Sequence, residues 1–149
     1  MQIEEVRLKV WETAKLELGV KELKEGSNSR IEEYHAAASV LNDQKLTDDV
    51  PWCSAFACFI IEKCGLKSTN NRSARSWLKW GVETQTPKRG DLVIFWRGSV
   101  DSWQGHVAFF DRFDENGNVR CLGGNQKDEV CVSTYLRNRV IGFRTYELP

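Results

Sequence analysis

The spacing of apolar residues changes near Pro87, and this change constrains the fold more than any other feature of the sequence. Upstream, apolar side chains recur every three to four residues, which is the spacing of amphipathic helices. Downstream, short apolar runs rich in aromatic and β-branched residues are separated by turn residues, which is typical of strands. Helices followed by strands predict an α+β domain in which N-terminal helices pack on an antiparallel sheet.

Helices are expected at residues 4–18, 29–41, 53–64 and 74–80. Ser29 is expected to cap the second helix, with Glu32 completing a capping box. Glycines at 19, 65 and 81 follow the other three helices, where a left-handed residue commonly ends a helix.

The second half predicts about five strands, at residues 91–96, 106–111, 119–122, 130–135 and 140–146. Asn116-Gly117 lies between the second and third of these strands, and this dipeptide suits the positive φ values of a tight hairpin. The second and third strands should therefore pair antiparallel.

Length and charge exclude several classes of protein. The 149 residues suit one domain spanning 1–149. Lys plus Arg equals Asp plus Glu at 21 each, so the composition does not favour nucleic-acid binding. The longest apolar run, at 55–61, is too short to cross a bilayer. We expect a monomer without membrane insertion.

The five cysteines are an odd number and form no Cys-x-x-Cys pair. A closed disulfide framework cannot use all of them, and zinc-site spacing is missing, so we expect no metal and no cofactor. Buried cysteine usually packs as a small apolar residue, and we interpret Cys58, Cys64, Cys121 and Cys131 in that way.

Cys53 differs because it comes at the start of a helix. Pro51 biases the preceding residue towards an extended conformation, so the chain enters the helix abruptly. A cysteine in the first turn lies in the positive field of the helix N-terminus, which favours the thiolate. We therefore predict that Cys53 is a nucleophile.

A cysteine nucleophile needs a base and a group that orients the base. Of the two histidines, His35 lies within a predicted helix, where a packing role is expected. His106 follows Gly105 at the start of a strand, where glycine allows a substrate backbone to approach. Antiparallel pairing with the strand at 119–124 would bring Asn125 close to His106. Composition alone would favour a simple turn at Gly-Gly-Asn. The expected geometry with His106 instead favours Asn125 as the group whose carbonyl accepts the Nδ1 proton.

Four segments in this order resemble the CHAP and NlpC/P60 group of papain-like peptidoglycan hydrolases. They are Trp-Cys-Ser-Ala-Phe at 52–56, Pro-Lys-Arg-Gly-Asp at 87–91, Gly-His-Val at 105–107 and Gly-Gly-Asn-Gln at 123–126. The likeness extends to segments at 18–22, 31–34 and 74–78, and so covers nearly the whole chain.

The resemblance implies a papain-like fold and a catalytic set of Cys53, His106 and Asn125. The backbone amide of Cys53 is the natural donor to a tetrahedral oxyanion. Residues expected to line the substrate site are Asp48, Trp52, Ser54, Trp96 and Gln126. Tryptophans at 52, 96 and 103 flank the motifs, and they could form a substrate groove or belong to the core.

The implied substrate is a peptidoglycan stem peptide, which Cys53 would cleave at an amide bond through a thioester. The muramoyl–L-alanine amide and a peptide bond of the stem or cross-bridge both remain open. One alternative is a non-catalytic module that binds the cell wall or a partner. The other is a protein-directed deamidase or acyl-transfer toxin that uses the same dyad.

The first residues are acidic and carry no basic or apolar leader, so we expect no secretory signal in this chain. The protein would be made in the cytoplasm and reach the wall, in the periplasm or outside the cell, through a holin, lysis or a secretion apparatus. A phage endolysin and an injected antibacterial effector both fit. An effector would require an immunity protein, most simply one that plugs the Cys53 cleft.

Overall fold

The structure, a computed structural model, describes residues 1–38 and 46–149. Within these residues helices come first and strands follow, so the predicted α+β order is confirmed. The helices are α1 (Ile3–Lys15), α2 (Ser29–Ala37) and α3 (Cys53–Lys63), with short 3₁₀ helices at Ala74–Lys79 and Arg137–Arg139. The strands are β1 (Val82–Glu83), β2 (Leu92–Trp96), β3 (Gly105–Phe113), β4 (Val119–Gln126), β5 (Glu129–Tyr135) and β6 (Val140–Thr145).

Three local features differ from the sequence expectations. The described residues form six strands, because the two-residue β1 pairs with β6 and is too short to show a pattern in the sequence. The cap of α2 is Asn28, one residue before Ser29, and its side chain accepts the backbone N–H of Arg30 at 2.8 Å. The helix expected at 74–80 is a 3₁₀ helix. The expected end of the second helix, near Leu41, lies outside the described residues.

The sheet is antiparallel, with strand order β1-β6-β2-β3-β4-β5. Trp96 at the end of β2 pairs with Gly105 at the start of β3. The predicted pairing of the next two strands is also present, with Phe109 opposite Leu122. The start of β3 therefore lies between the ends of β2 and β4.

Alternate residues of the central strands pack on opposite faces of the sheet. The face under the helices contributes Leu92, Ile94, Val107, Phe109 and Leu122 to the main core. The other face forms a second buried cluster, which includes Val93, Phe95, Ala108, Phe110 and Cys121. Both faces of the sheet therefore carry buried side chains, and the helices pack on one of them.

The first turn of α3 packs closely on Gly124 of β4. A methyl group built on Gly124 would lie 2.7 Å from the Phe56 Cβ and 2.8 Å from the Trp52 Cζ3. Such distances are far shorter than van der Waals contact, so this approach requires glycine. The contact fixes the N-terminus of α3, which carries Cys53, against the end of β4.

Asp91 links α1 to the sheet through side-chain hydrogen bonds. Its fully buried carboxylate accepts Arg7 Nε at 2.8 Å and the Thr145 hydroxyl at 2.6 Å. A buried carboxylate is stable only when it is paired and hydrogen-bonded. The Pro-Lys-Arg-Gly-Asp segment at 87–91 therefore has a structural role in this fold.

Candidate active site

Cys53 is the first residue of α3, and its side chain is almost buried, with 8% of its surface exposed. Burial raises the pKa of the Cys53 thiol above its ordinary value, while the nearby Val107 backbone N–H and the charge of Arg97 act in the opposite direction. The sequence-based expectation that the helix N-terminus would favour the thiolate is therefore outweighed by burial. The resting group is a thiol.

His106 is the second residue of β3 and is 1% exposed. Its ring stacks on Phe95 at a centroid distance of 6.0 Å and contacts Tyr135 at 5.2 Å. Burial lowers the pKa of His106 to about 4, against an opposing effect of its hydrogen bond to Gln126. His106 is therefore neutral near pH 7 and can accept a proton.

Gln126 contacts the Nε2 edge of the His106 ring. Its Oε1 lies 2.9 Å from His106 Nε2, and its Nε2 donates to the Cys131 carbonyl at 2.6 Å. A carbonyl can only accept, so the amide nitrogen must face Cys131 and the amide oxygen must face His106. His106 Nε2 therefore carries the hydrogen, and Nδ1 keeps its lone pair.

Asn125 does not occupy the position that the sequence suggested. Its backbone is left-handed, with φ of 58°, and the β4–β5 register shifts between Gly123 and Gln126. Such an irregularity redirects the side chains that follow it. Gln126 consequently contacts His106, whereas Asn125 lines the cavity beside Cys53.

The Nδ1 atom of His106 faces a guanidinium group in this structure. Arg97 Nη2 lies 3.5 Å from Nδ1, and the Tyr135 hydroxyl lies 3.4 Å from Nε2. Among the described residues, no hydrogen bond joins the Cys53 thiol to the His106 ring. The backbone N–H of Val107, the residue after His106, contacts the Cys53 sulfur, so the start of β3 lies beside the thiol.

A cavity of about 180 Å³ opens beside the thiol. Its lining includes Cys53, Arg72, Arg97, Trp103, Gln104 and Asn125. Trp103 is 82% exposed, which is unusual for a large apolar side chain and provides an open surface for a ligand. The cavity is large enough to hold part of a peptide next to Cys53.

The loop at 97–104 forms one wall of this cavity, and Arg75 holds it in place. The Arg75 guanidinium donates to the carbonyls of Gln104 at 2.8 Å, Val100 at 2.8 Å and Ser99 at 3.0 Å. Three hydrogen bonds from one planar group fix the path of the loop. Arg75 thereby positions the segment between Arg97 and Trp103.

Three predicted site-lining residues are engaged in the fold instead. Ser54 donates to the Asn71 carbonyl at 2.6 Å and accepts Trp77 Nε1 at 2.9 Å. Trp52 is fully buried, and Asp48 accepts two backbone N–H groups. The structure therefore does not bring Asp48, Trp52 or Ser54 to the cavity.

Trp96 is also placed away from the cavity lining. Its indole N–H donates to the Asn138 carbonyl at 3.1 Å, and the Arg139 guanidinium lies 4.5 Å from its ring centroid. Of the three tryptophans that flank the motifs, Trp103 lines the cavity.

Sequence reasoning missed Arg97, Arg75 and Tyr135. The sequence could have indicated that Arg97 lies near His106, because Arg97 directly follows β2, the strand that pairs with the strand bearing His106. Tyr135 and Arg75 approach the site from an outer strand and a 3₁₀ helix, and their contacts depend on tertiary packing.

In the part of the chain that the structure describes, no group of three His, Cys, Asp or Glu residues is placed to hold a metal ion. No described helix is both long enough and apolar enough to traverse a bilayer.

The fold and the site together define a class of protein. A helix that begins with Cys53 packs on an antiparallel sheet in which His106 is the second residue of β3, and the fold is that of a papain-like NlpC/P60 domain. Within this class the chain belongs to the CHAP domain family, whose model matches residues 45–125. This match contains Cys53, His106 and Asn125.

Solved structures show the same fold at low sequence identity. An NLP/P60-family protein similar to a lipoprotein, from Staphylococcus aureus, superposes with a TM-score of 0.61 and 15% identity over 97% of this chain. The P60 domain of a Mycobacterium avium paratuberculosis antigen gives 0.57 and 17% over 98% of this chain and 96% of its own length. A mutated form of the resuscitation promoting factor interacting protein RipA gives 0.57 and 15% over 96% of this chain.

The chain spans 43% of the staphylococcal protein and 62% of the RipA chain, so it corresponds to one part of each. No curated protein matches the chain by sequence.

Proposed function

We propose that this protein is a peptidoglycan hydrolase that cleaves an amide bond of the stem peptide through Cys53 and His106. Membership of the CHAP family supports the substrate class. The observation that carries the chemistry is the Cys53 thiol on an open cavity, with the start of β3, which bears the buried His106–Gln126 pair, beside the thiol. These are the nucleophile, base and orienting group that acyl transfer requires.

The reaction begins with a neutral thiol and a neutral imidazole. As the Cys53 sulfur attacks the substrate carbonyl, His106 Nδ1 takes the thiol proton, and the Cys53 backbone N–H at the helix N-terminus donates to the oxyanion. The tetrahedral intermediate collapses when His106 returns the proton to the leaving amine, which leaves a thioester on Cys53. Water, activated by His106, then hydrolyses the thioester and releases the carboxylic acid.

We assign the orienting role to Gln126 in place of Asn125. The Gln126 carbonyl keeps the hydrogen on His106 Nε2, and the Cys131 carbonyl prevents the amide from turning. Nδ1 is then the ring nitrogen without a hydrogen, and it is the atom that would receive the thiol proton. Asn125, on the cavity wall, is placed to contact the substrate.

Mass spectrometry of purified sacculi digested with the wild type and two variants tests this proposal. The wild type should release soluble muropeptides whose new termini identify the cleaved bond, and Cys53→Ala should release none. Cys58→Ala is the matched control, because Cys58 lies on the same helix but packs near Thr69 and the Asn71 carbonyl. Cys58→Ala should keep its activity.

The alternatives give different results in the same assay. A binding module would sediment with sacculi and leave them intact, whereas a deamidase or acyl-transfer toxin would convert a protein glutamine and leave sacculi unchanged. Either result would contradict the proposal. Equal product release by the wild type and Cys53→Ala would remove Cys53 from the mechanism.

Expression in a bacterial host tests whether the wall is the target. The protein fused to an export signal should lyse the cells, and the same protein kept in the cytoplasm should not. An endolysin or effector role, and an immunity partner at the Cys53 cleft, stay predictions. Co-expression of a neighbouring reading frame that relieves lysis would support the partner.

A further inference from the structure

Two arginines, Arg72 and Arg97, line the cavity beside Cys53. Arg97 Nη2 contacts His106 Nδ1 at 3.5 Å. Arg72 Nε is buried and has no hydrogen-bond partner among the described residues. An unpaired buried donor is costly, so Arg72 favours a ligand that accepts hydrogen bonds, and the exposed Arg97 guanidinium is accessible to the same ligand.

The charge of the cavity identifies the chemistry of that ligand. Arg72 and Arg97 both line it, and no acidic side chain is among its described lining residues. Arginine binds carboxylates in bidentate geometry at about 2.7–2.9 Å. The Arg97 contact with His106 is longer than this and lies at the limit of a hydrogen bond, so a carboxylate would be the better partner.

The same contact places Arg97 where it obstructs the reaction. Nδ1 is the atom that must accept the thiol proton of Cys53, and the Arg97 guanidinium occupies its lone-pair side. A cation beside Nδ1 also opposes protonation of the ring during attack. Removing Arg97 from Nδ1 would make His106 available to Cys53.

We propose that this cavity binds a free carboxylate of the substrate peptide through Arg97 and Arg72, and that binding draws Arg97 away from His106. The inference rests on the proposed function and specifies its substrate: a peptide with a free carboxylate near the scissile amide. Because the carboxylate also neutralises the cation beside His106, substrate binding itself activates the base. A peptide with a carboxamide at that position is a poor substrate.

Binding to an inactive variant tests the carboxylate preference without requiring catalysis. Two soluble stem tetrapeptides are titrated calorimetrically into Cys53→Ala; one has a free α-carboxylate on its glutamyl residue, and the other has the carboxamide. The carboxylate peptide should bind at least tenfold more tightly. Adding Arg97→Gln should abolish this difference, and adding Arg72→Gln should reduce it.

Arg112→Gln is the matched control. Arg112 is an exposed arginine near the end of β3, whereas the cavity-lining Gly105 is at the start of that strand, and its loss removes the same charge from the protein. The control should preserve the tenfold preference. A preference lost equally in Arg112→Gln would assign the effect to net charge and overturn the proposal.

Nitrogen NMR of the two histidines tests the movement of Arg97. The His106 Nδ1 resonance, assigned with a His35→Gln variant, should shift when the carboxylate peptide binds to Cys53→Ala. It should stay unchanged with the carboxamide peptide. Tight carboxylate binding without a shift would overturn the activation step.

The binding result separates this inference from the proposed function. If the wild type leaves sacculi intact while Cys53→Ala still prefers the carboxylate peptide, the hydrolase assignment fails and the carboxylate site stands. If the wild type digests sacculi and both peptides bind equally, or neither binds, the carboxylate site is overturned and the hydrolase stands.

Discussion

His106 Nε2 lies 2.9 Å from Gln126 Oε1, and the Gln126 amide is itself fixed by the Cys131 carbonyl at 2.6 Å. Orientation of the base therefore passes from the β5 backbone through Gln126 to the imidazole. A carboxylate in this position would stabilise the imidazolium, but an amide cannot do so to the same extent. Burial, which lowers the pKa of His106, therefore keeps the resting histidine neutral despite this hydrogen bond.

Substitution of Gln126 should remove this orientation. Gln126→Ala should lower kcat roughly a hundredfold or more, because the imidazole loses the partner that sets its tautomer. Gln126→Glu should raise the pKa of His106, measurable by NMR titration. Asn125→Ala, at the adjacent position, is the matched control, and it should change KM more than kcat. A larger kcat loss in Asn125→Ala than in Gln126→Ala would return the orienting role to Asn125.

Burial of His106 should make stability depend on pH. Burial lowers the pKa of His106 from an ordinary 6.5 to about 4, so the unfolded chain binds more protons between these values. The free energy of unfolding should therefore be greatest above pH 6.5 and fall as the pH approaches 4, by up to about 3 kcal/mol from this group.

Urea unfolding of the wild type and His106→Gln across this pH range measures that contribution. The pKa of His35 is also lowered by burial, but His35 is present in both proteins, so its effect cancels in the difference. The wild type should lose more stability than His106→Gln between pH 6.5 and 4. Parallel pH profiles would show that His106 titrates normally in the folded protein.

Gly124→Ala should separate α3 from β4. The added methyl would clash with Phe56 and Trp52, and forced overpacking costs typically 1–3 kcal/mol. Activity should fall as well, since Cys53 moves with the helix. In Gly142→Ala, by contrast, the methyl meets only the Leu78 Cδ2 at 3.0 Å, the end of a flexible side chain. Thermal unfolding should show a clearly smaller loss for Gly142→Ala.

Arg75→Ala should loosen the loop at 97–104 because three carbonyls lose their donor. We expect faster hydrogen exchange confined to this loop and a several-fold rise in KM, with a small change in melting temperature. Arg75→Lys keeps the charge but lacks the planar set of N–H donors. Hydrogen exchange of its loop should therefore be slower than in Arg75→Ala but faster than in the wild type. Unchanged exchange in Arg75→Ala would show that other contacts hold the loop.

The choice between Asn125 and Gln126 shows where sequence reasoning reaches its limit. Phe109 pairs with Leu122, and an unbroken register three residues further would place Asn125 opposite His106. The left-handed backbone at Asn125 interrupts that register. Asparagine tolerates this conformation better than most residues, but sequence alone does not say whether a given asparagine adopts it.

Burial was the second quantity that the sequence could not supply. A helix N-terminus favours a thiolate, and that local effect is readable at Cys53. Desolvation depends on what packs above the thiol, and it raises the pKa of Cys53 in the folded protein. For the same reason Ser54 and Trp52, which look like site residues beside Cys53, are core residues here.

The sequence by itself determined the α+β class, the order of helices and strands, and the positions of Cys53 and His106 at element starts, because periodicity and turn residues are local properties. The tertiary structure decided that Gln126 meets His106, that Arg97 faces Nδ1, and that Arg75 and Trp103 shape the cavity. These contacts join residues far apart in the chain, and they depend on strand register, bulges and burial that only the folded protein sets.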